Sequence, residues 1–255
     1  MSMKICEAYG DENGKGSGGK PGDQTGRELR YRAWYKRTRG WNYVLIPKNA
    51  EIGRKAANLA IDIVKSRLFG YDKGDRWTIL TSLQNNGGKV HGAKPAECDC
   101  STLVSVCYIL NGVNVRGASN GNVYTGNIRA KFLATGEFEV SEDKKYLDGT
   151  KDAPIGSVYV GRNNGQGHTL IVVESSVKAL KPDGSADNDK AASKLKTKGS
   201  VRVRTTPVTG DTVTILYPTD EVEIIGVDEK TGWYKVRITE KIGYITNNKK
   251  YVDVR

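Results

Sequence analysis

Residues Lys178 to Gly199, KALKPDGSADNDKAASKLKTKG, are the part of this chain that cannot pack. The stretch is poor in aromatic and β-branched residues and rich in Lys, Asp, Ser and Ala. It offers too little apolar area to offset the entropy of ordering it. It reads as a linker or loose extension and divides the 255 residues into unequal parts. The expected boundaries are a first domain at 1–178, a linker at 179–199 and a second domain at 200–255.

The last part has a single pattern. Val201-Arg202-Val203-Arg204, Val213-Thr214-Ile215-Leu216, Val222-Glu223-Ile224-Ile225, Trp233 to Ile238 and Ile242 to Ile245 are short β-prone segments. Turn residues separate them at Thr206-Pro207, Thr209-Gly210-Asp211, Pro218-Thr219-Asp220 and Thr231-Gly232. Short strands at such spacing predict a small all-β barrel, with Trp233 filling its core.

The first part mixes periods. Asn49 is placed to cap a helix through Glu51–Val64, with Ile52, Ala56, Leu59, Ala60 and Ile63 on one face. Strands are expected near 28–35, 41–46, 157–161 and 168–174. Together they predict an α+β domain with helices packed on an antiparallel sheet.

Glu97-Cys98-Asp99-Cys100-Ser101 leads into the apolar run Leu103–Leu110, which stops at Asn111-Gly112. The spacing predicts a helix with one buried face and Cys100 at its first turn. Unpaired N–H groups and the helix dipole there favour an anion, and a thiolate is the nucleophilic form of Cys. The chain has two histidines, His91 and His168. His91 lies in a glycine-rich loop, whereas His168 opens the β-rich run Gly167–Glu174 and would be rigidly held. A Cys at a helix start facing a His on a sheet is the arrangement of papain-like thiol hydrolases. Cys6, Cys98, Cys100 and Cys107 lack the paired spacing of structural zinc sites, so no metal and no cofactor is expected. Cys107, two turns beyond Cys100, reads as a buried small hydrophobe. Asp11-Glu12-Asn13-Gly14 lacks the distal Glu of a calcium loop and reads as a flexible glycine-rich loop.

The formal net charge is +11, and 200–255 carries nine basic and eight acidic residues, so nearly all the excess lies earlier. Arg27, Arg30, Arg32, Lys36, Arg37 and Arg39 alternate with Tyr31, Trp34, Tyr35 and Trp41. The run suits an anionic polymer or sugars stacked on indole rings. It equally suits a strand with one buried face and solvated arginines. No nucleic-acid module accompanies it, so nucleic acid is not an expected partner. The N-terminus has no apolar signal-peptide core, and nothing approaches membrane-spanning length.

Asp99-Cys100-Ser101 before a helix, then Pro154-Ile155-Gly156-Ser157-Val158 and Gly167-His168-Thr169 on successive strands, resembles the NlpC/P60 family of cell-wall cysteine hydrolases. Gly22–Glu28 and Gly70–Arg76 resemble its bacteriophage endolysin branch, and the resemblance covers roughly 5 to 175. Val201–Arg204, Gly232–Val236 and Gly243-Tyr244-Ile245 resemble a bacterial SH3-type (SH3b) wall-binding domain. The resemblance implies a papain-like catalytic domain followed by an SH3b barrel. It implies an endolysin-type cysteine peptidase or amidase cleaving an amide of peptidoglycan, with Cys100 as nucleophile and His168 as base. An enzyme of this kind is made in the host cytoplasm without a signal peptide and reaches the wall through a holin pore. The alternatives are a non-catalytic wall-binding protein and an acyltransferase on the same scaffold. By resemblance Asp99 and Ser101 are substrate-binding candidates. The third catalytic group is less direct. Glu174 lies six residues beyond His168 on one strand, roughly 20 Å away and out of reach. The strand that usually supplies this group gives way here to the linker. Gln24 is therefore the expected partner of the imidazole, with Asp23 second and also a substrate-binding candidate, and Glu28 behind them.

Overall fold

The computed structural model describes residues 3–177, 194–228, 230–238 and 241–254. The chain divides into two compact units, Met1–Asp187 and Asn188–Arg255. In chain order the first comprises β1 (Lys4–Ala8), β2 (Leu29–Ala33), β3 (Tyr43–Pro47), α1 (Ala50–Ser66), β4 (Phe69–Tyr71), α2 (Thr78–Asn85) and β5 (Ala96–Cys98). It continues with α3 (Cys100–Ile109), α4 (Ile128–Leu133), β6 (Phe138–Ser141), α5 (Lys144–Leu147), β7 (Val158–Asn163) and β8 (Gln166–Glu174).

Six of these strands form one antiparallel sheet in the order β2-β1-β8-β7-β3-β6, and β4 and β5 form a separate parallel pair. β1 is the strand that the sequence pattern left unassigned. It lies between β2 and β8, and Ile5, Cys6, Glu7 and Ala8 are all buried. The β7–β8 hairpin turns at Asn164-Gly165, both with positive φ (51° and 76°). That geometry matches the strands' right-handed twist, and Asn-Gly tolerates it best. The turn fixes a register in which Gly161 faces His168.

Helices cover one face of the sheet. Asn49 caps α1, its side chain accepting from the Glu51 and Ile52 amides, a contact worth about 1 kcal/mol. Ala56, Ala60 and Ile63 of α1 are buried, with Ile52 and Leu59 packed at the margin. α3 departs from its expected single buried face: every residue from Cys100 to Tyr108 is buried, because α1, β1, β8 and β5 surround it. Tyr108 donates to the Gly156 carbonyl at 2.5 Å and meets Phe138 edge-on, ring centres 4.8 Å apart. The opposite face of the sheet carries a second apolar cluster around Trp41, Tyr159, Leu170 and Val172, which α5 helps to cover through Leu147.

The second unit consists of β9 (Lys194–Thr197), β10 (Val201–Arg204), β11 (Thr212–Leu216), β12 (Glu221–Val227), β13 (Tyr234–Ile238), β14 (Lys241–Ile245) and β15 (Val252–Val254). They are ordered β11-β10-β14-β13-β12-β9-β15, with antiparallel neighbours. Leu195, Val203, Val222, Val236, Ile245 and Val252 make its core. Two expectations change here. Of the stretch read as a linker, 179–193 lies outside the described residues, but 194–197 forms β9, which turns Leu195 and Thr197 inward between β12 and β15. Trp233 does not fill the core. It is half-buried beside the β12–β13 turn, and the core closes without it.

Candidate active site

Asp99 builds the start of α3. Its backbone is extended, its Oδ1 accepts from the Thr102 amide at 2.7 Å and from Ser101 Oγ at 2.9 Å, and its Oδ2 pairs with Arg76 at 2.8 Å. The cap covers the third amide of the helix and leaves that of Cys100 at the mouth. Cys100 borders a cleft of about 740 Å³. His168, the third residue of β8, borders the same cleft, and the Cys100 thiol is among the groups that raise its imidazole. The fold therefore brings together two residues 68 positions apart in the chain. His91 is exposed in the turn after α2, and its carbonyl accepts from Asn86.

The third member of this group is Glu7 of β1. Its Oε2 lies 2.8 Å from His168 Nε2 and also accepts from the Tyr35 hydroxyl at 2.8 Å. With Nε2 held by Glu7, Nδ1 is the ring nitrogen left for the thiol. Glu7 is fully buried; its Oε1 has no hydrogen bond among the described residues and sits 3.8 Å from Arg32. Burial alone pushes the Glu7 carboxyl up, but His168, the Tyr35 hydroxyl and Arg32 outweigh it and hold it below the usual carboxylate range. For His168 burial pulls the imidazole down, while hydrogen bonds to Cys100 and Glu7 and their charges raise it to about 9. Trp41, ring centre 6.1 Å away, and Tyr9, edge-on at 5.9 Å, frame the imidazole. The hairpin can approach the 122–127 loop only because residue 167 is glycine: a Cβ there would lie 1.8 Å from Thr125 Oγ1.

Glu7 replaces Gln24 as the partner of the imidazole. Gln24 is exposed, and its amide donates to the Pro21 carbonyl at 3.0 Å within a turn. Asp23 sits in the same turn, where its Oδ1 accepts from the Gly26 amide at 2.6 Å and the Thr25 amide at 3.1 Å; neither residue borders the cleft. Glu28 is buried beneath that turn and accepts from the Gln24 and Tyr71 amides. Glu174, as distance required, points elsewhere and pairs with Lys4 and Tyr31. Asp99 and Ser101 do border the cleft, but they are bonded to each other. The signal for Glu7 was present in the chain: it is a lone carboxylate inside the apolar run Ile5-Cys6-Glu7-Ala8, and a buried charge requires a partner.

The basic run divides. Arg30 and Arg32 lie on the edge strand β2, but the strand ends at Ala33, and Lys36, Arg37 and Arg39 continue as a loop along the cleft. Cys6, Cys98 and Cys107 are buried free thiols raised by burial, and Cys98 Sγ faces the Gly70 carbonyl at 3.5 Å. Among the described residues, no group of three or more His, Cys, Asp or Glu is placed to hold a metal ion. No helix among them is long and apolar enough to cross a membrane.

A thiol at a helix start, an imidazole on the adjoining strand and a buried carboxylate behind it define the constellation of a Cys-His-acid site. The family model of the endolysin-like domain matches residues 5–179, which spans all three side chains. The chain belongs to that family, and membership indicates a phage-lysin-type function at the bacterial cell wall. No curated protein matches the chain.

Proposed function

We propose that this endolysin-like protein is a cysteine hydrolase that cuts an amide bond of peptidoglycan. The observation that carries the reading is that Cys100 and His168 border one open cleft, with the Glu7 carboxylate 2.8 Å from the imidazole behind it. An imidazole raised to about 9 is protonated at neutral pH and is the partner that a thiolate needs. Cys100 Sγ attacks the scissile carbonyl, and the Cys100 amide at the mouth of α3 is placed to donate to the oxyanion. His168 then delivers its Nδ1 proton to the leaving amine, and the acyl–enzyme is released by water that the same nitrogen deprotonates. Glu7 neither receives the proton nor touches the substrate. It fixes the tautomer and favours the imidazolium.

The NlpC/P60-like order of motifs supports a papain-like assignment of the first unit. Short β-strands around a separate small core support an SH3b-like, wall-binding reading of the second. Release through a holin pore fits a lysin of this type. Replacing Cys100 by Ala is expected to reduce lysis of purified Gram-positive walls by at least a thousandfold with the melting temperature little changed. A variant that lyses walls at the parent rate excludes the cysteine mechanism. Mass spectrometry of the digest identifies the bond.

A further inference from the structure

We propose that the cleft selects wall peptides whose acidic groups are free carboxylates rather than carboxamides, on both sides of the bond that is cut. This rests on the hydrolase reading above and names the substrate that such a site takes. Six cations border the cleft: Lys36, Arg37, Arg39, Lys73, Arg76 and Arg162. Its one bordering carboxylate, Asp99, is already committed to Arg76, Ser101 and the Thr102 amide. Among the described residues, no carboxylate lies within ion-pair distance of the other five cations.

These side chains are held without being neutralised. Arg37 Nη2 donates to the Gln166 carbonyl at 3.3 Å, and Arg39 donates to the Gln166 side-chain oxygen, so both are fixed to the hairpin that carries His168. Arg162 donates to Thr125 Oγ1 at 3.4 Å and lies 6.0 Å from the Tyr124 ring centre. Every one of these partners is uncharged, so the guanidinium charge remains available. Lys73, just beyond β4, borders the cleft, as does the Arg76–Asp99 pair that braces the start of α3 on the thiol side. Positive charge therefore stands on both flanks of the reacting pair, and concave walls concentrate its field.

A peptide backbone is neutral and gives such a field nothing to grip. An acidic residue of a wall peptide can keep its carboxylate or carry an amide. The two are nearly isosteric and differ in charge and in capacity to accept a forked pair from Arg. A guanidinium already oriented by neutral partners loses little entropy on receiving that carboxylate. The exposed Tyr9 and Tyr124 add apolar surface along the same cleft.

The test compares kcat/KM for soluble muropeptides in matched pairs, each acidic position present as the carboxylate or as the carboxamide. The expected result is a preference of roughly tenfold or more for the free acid, as for a charge-assisted hydrogen bond exchanged for a neutral one. Arg39→Gln combined with Arg162→Gln should shrink the preference at positions on one side of the cut, and Lys73→Gln at positions on the other. Equal kcat/KM for acid and amide in the parent protein overturns the proposal and leaves the hydrolase reading standing; the cations then act only as a general attractant for anionic wall polymers. A preference that survives all three substitutions also overturns it. Failure to cleave either form, together with failure to lyse walls, removes the hydrolase reading and the proposal with it.

Discussion

Glu7 shows how one side chain sets the charge state of another. Its carboxylate favours the protonated imidazole, so Glu7→Gln is expected to bring the His168 titration down from about 9, and the alkaline limb of kcat/KM with it. Gln keeps an acceptor for Nε2–H, so it should retain more activity than Glu7→Ala, which frees the ring. An NMR titration of His168 beside the pH–rate profile checks both. Stability carries the same signature. The folded imidazole binds its proton more tightly than the unfolded one, so this contribution is complete below about 6.5 and is lost as pH rises through about 9. Thermal melts should decline across that window in the parent, whereas in Glu7→Gln the decline should start at the same pH, end lower and be smaller in total. At this scale Cys100 and His168 could be singled out from the sequence, because a Cys before an apolar run and a His opening a β-rich one are local patterns. Glu7 could not, because its role depends on which strand lies beside β8. The usual strand after the His is missing from the pattern, so the sequence points to the polar turn at Asp23 and Gln24 and not to an apolar strand near the N-terminus.

Elements are held here by close approaches that their own propensities oppose. Gly53 lies inside α1, where Ala would ordinarily be better by about 1 kcal/mol. A Cβ on Gly53 would sit 2.8 Å from Pro47 Cγ and 2.9 Å from the Ile155 carbonyl, so α1 approaches the turn before β7 through a gap that only glycine leaves. Gly53→Ala should therefore lower the melting temperature by several degrees despite the gain in propensity. The glycine-rich segment between β1 and β2 is fixed by carboxylates beneath it. Asp72 accepts from the Gly18 and Gly19 amides at 2.6 and 3.1 Å, and Glu97 accepts from Gly22 at 2.8 Å. Asp72→Ala is expected to speed limited proteolysis within 10–22 while leaving the sheet intact by circular dichroism. Burial pushes Glu97 up to about 8, so it costs stability progressively as pH rises from about 4.5 to 8. Glu97→Gln should flatten that slope in thermal melts. From sequence, α1 and its cap were legible because periodicity and Asn49 agree. The anchors at Gly18, Gly19 and Gly22 were not legible, because they come from residues 53 to 75 positions away.

At the scale of the molecule, charge and packing are unevenly divided. The cations cluster in the first unit and along its cleft, so lysis of anionic walls should slow as salt rises from about 0.05 to 0.3 M, where the screening length falls below cleft dimensions. The second unit has a separate core, so residues 188–255 should fold alone and bind intact walls; no retention on any Gram-positive wall would contradict its assignment as a binding module. The division near the polar stretch was visible in composition, whereas β9 was not, since Lys194–Thr197 offers a single apolar residue to a pattern search. One feature of the first unit also has a bearing on time. Glu7 and His168 are 161 residues apart, and β1 takes its place only when β8 exists to receive it. At about 5–20 residues per second, a ribosome makes the carboxylate on the order of ten to thirty seconds before the imidazole. Throughout that interval the chain carries the carboxylate, and later the thiol, without the imidazole that lies between them in the sequence of contacts. On the hydrolase reading, completion of the sheet is then the event that confers reactivity, and the last strand of the first unit to be made is the one that arms the molecule.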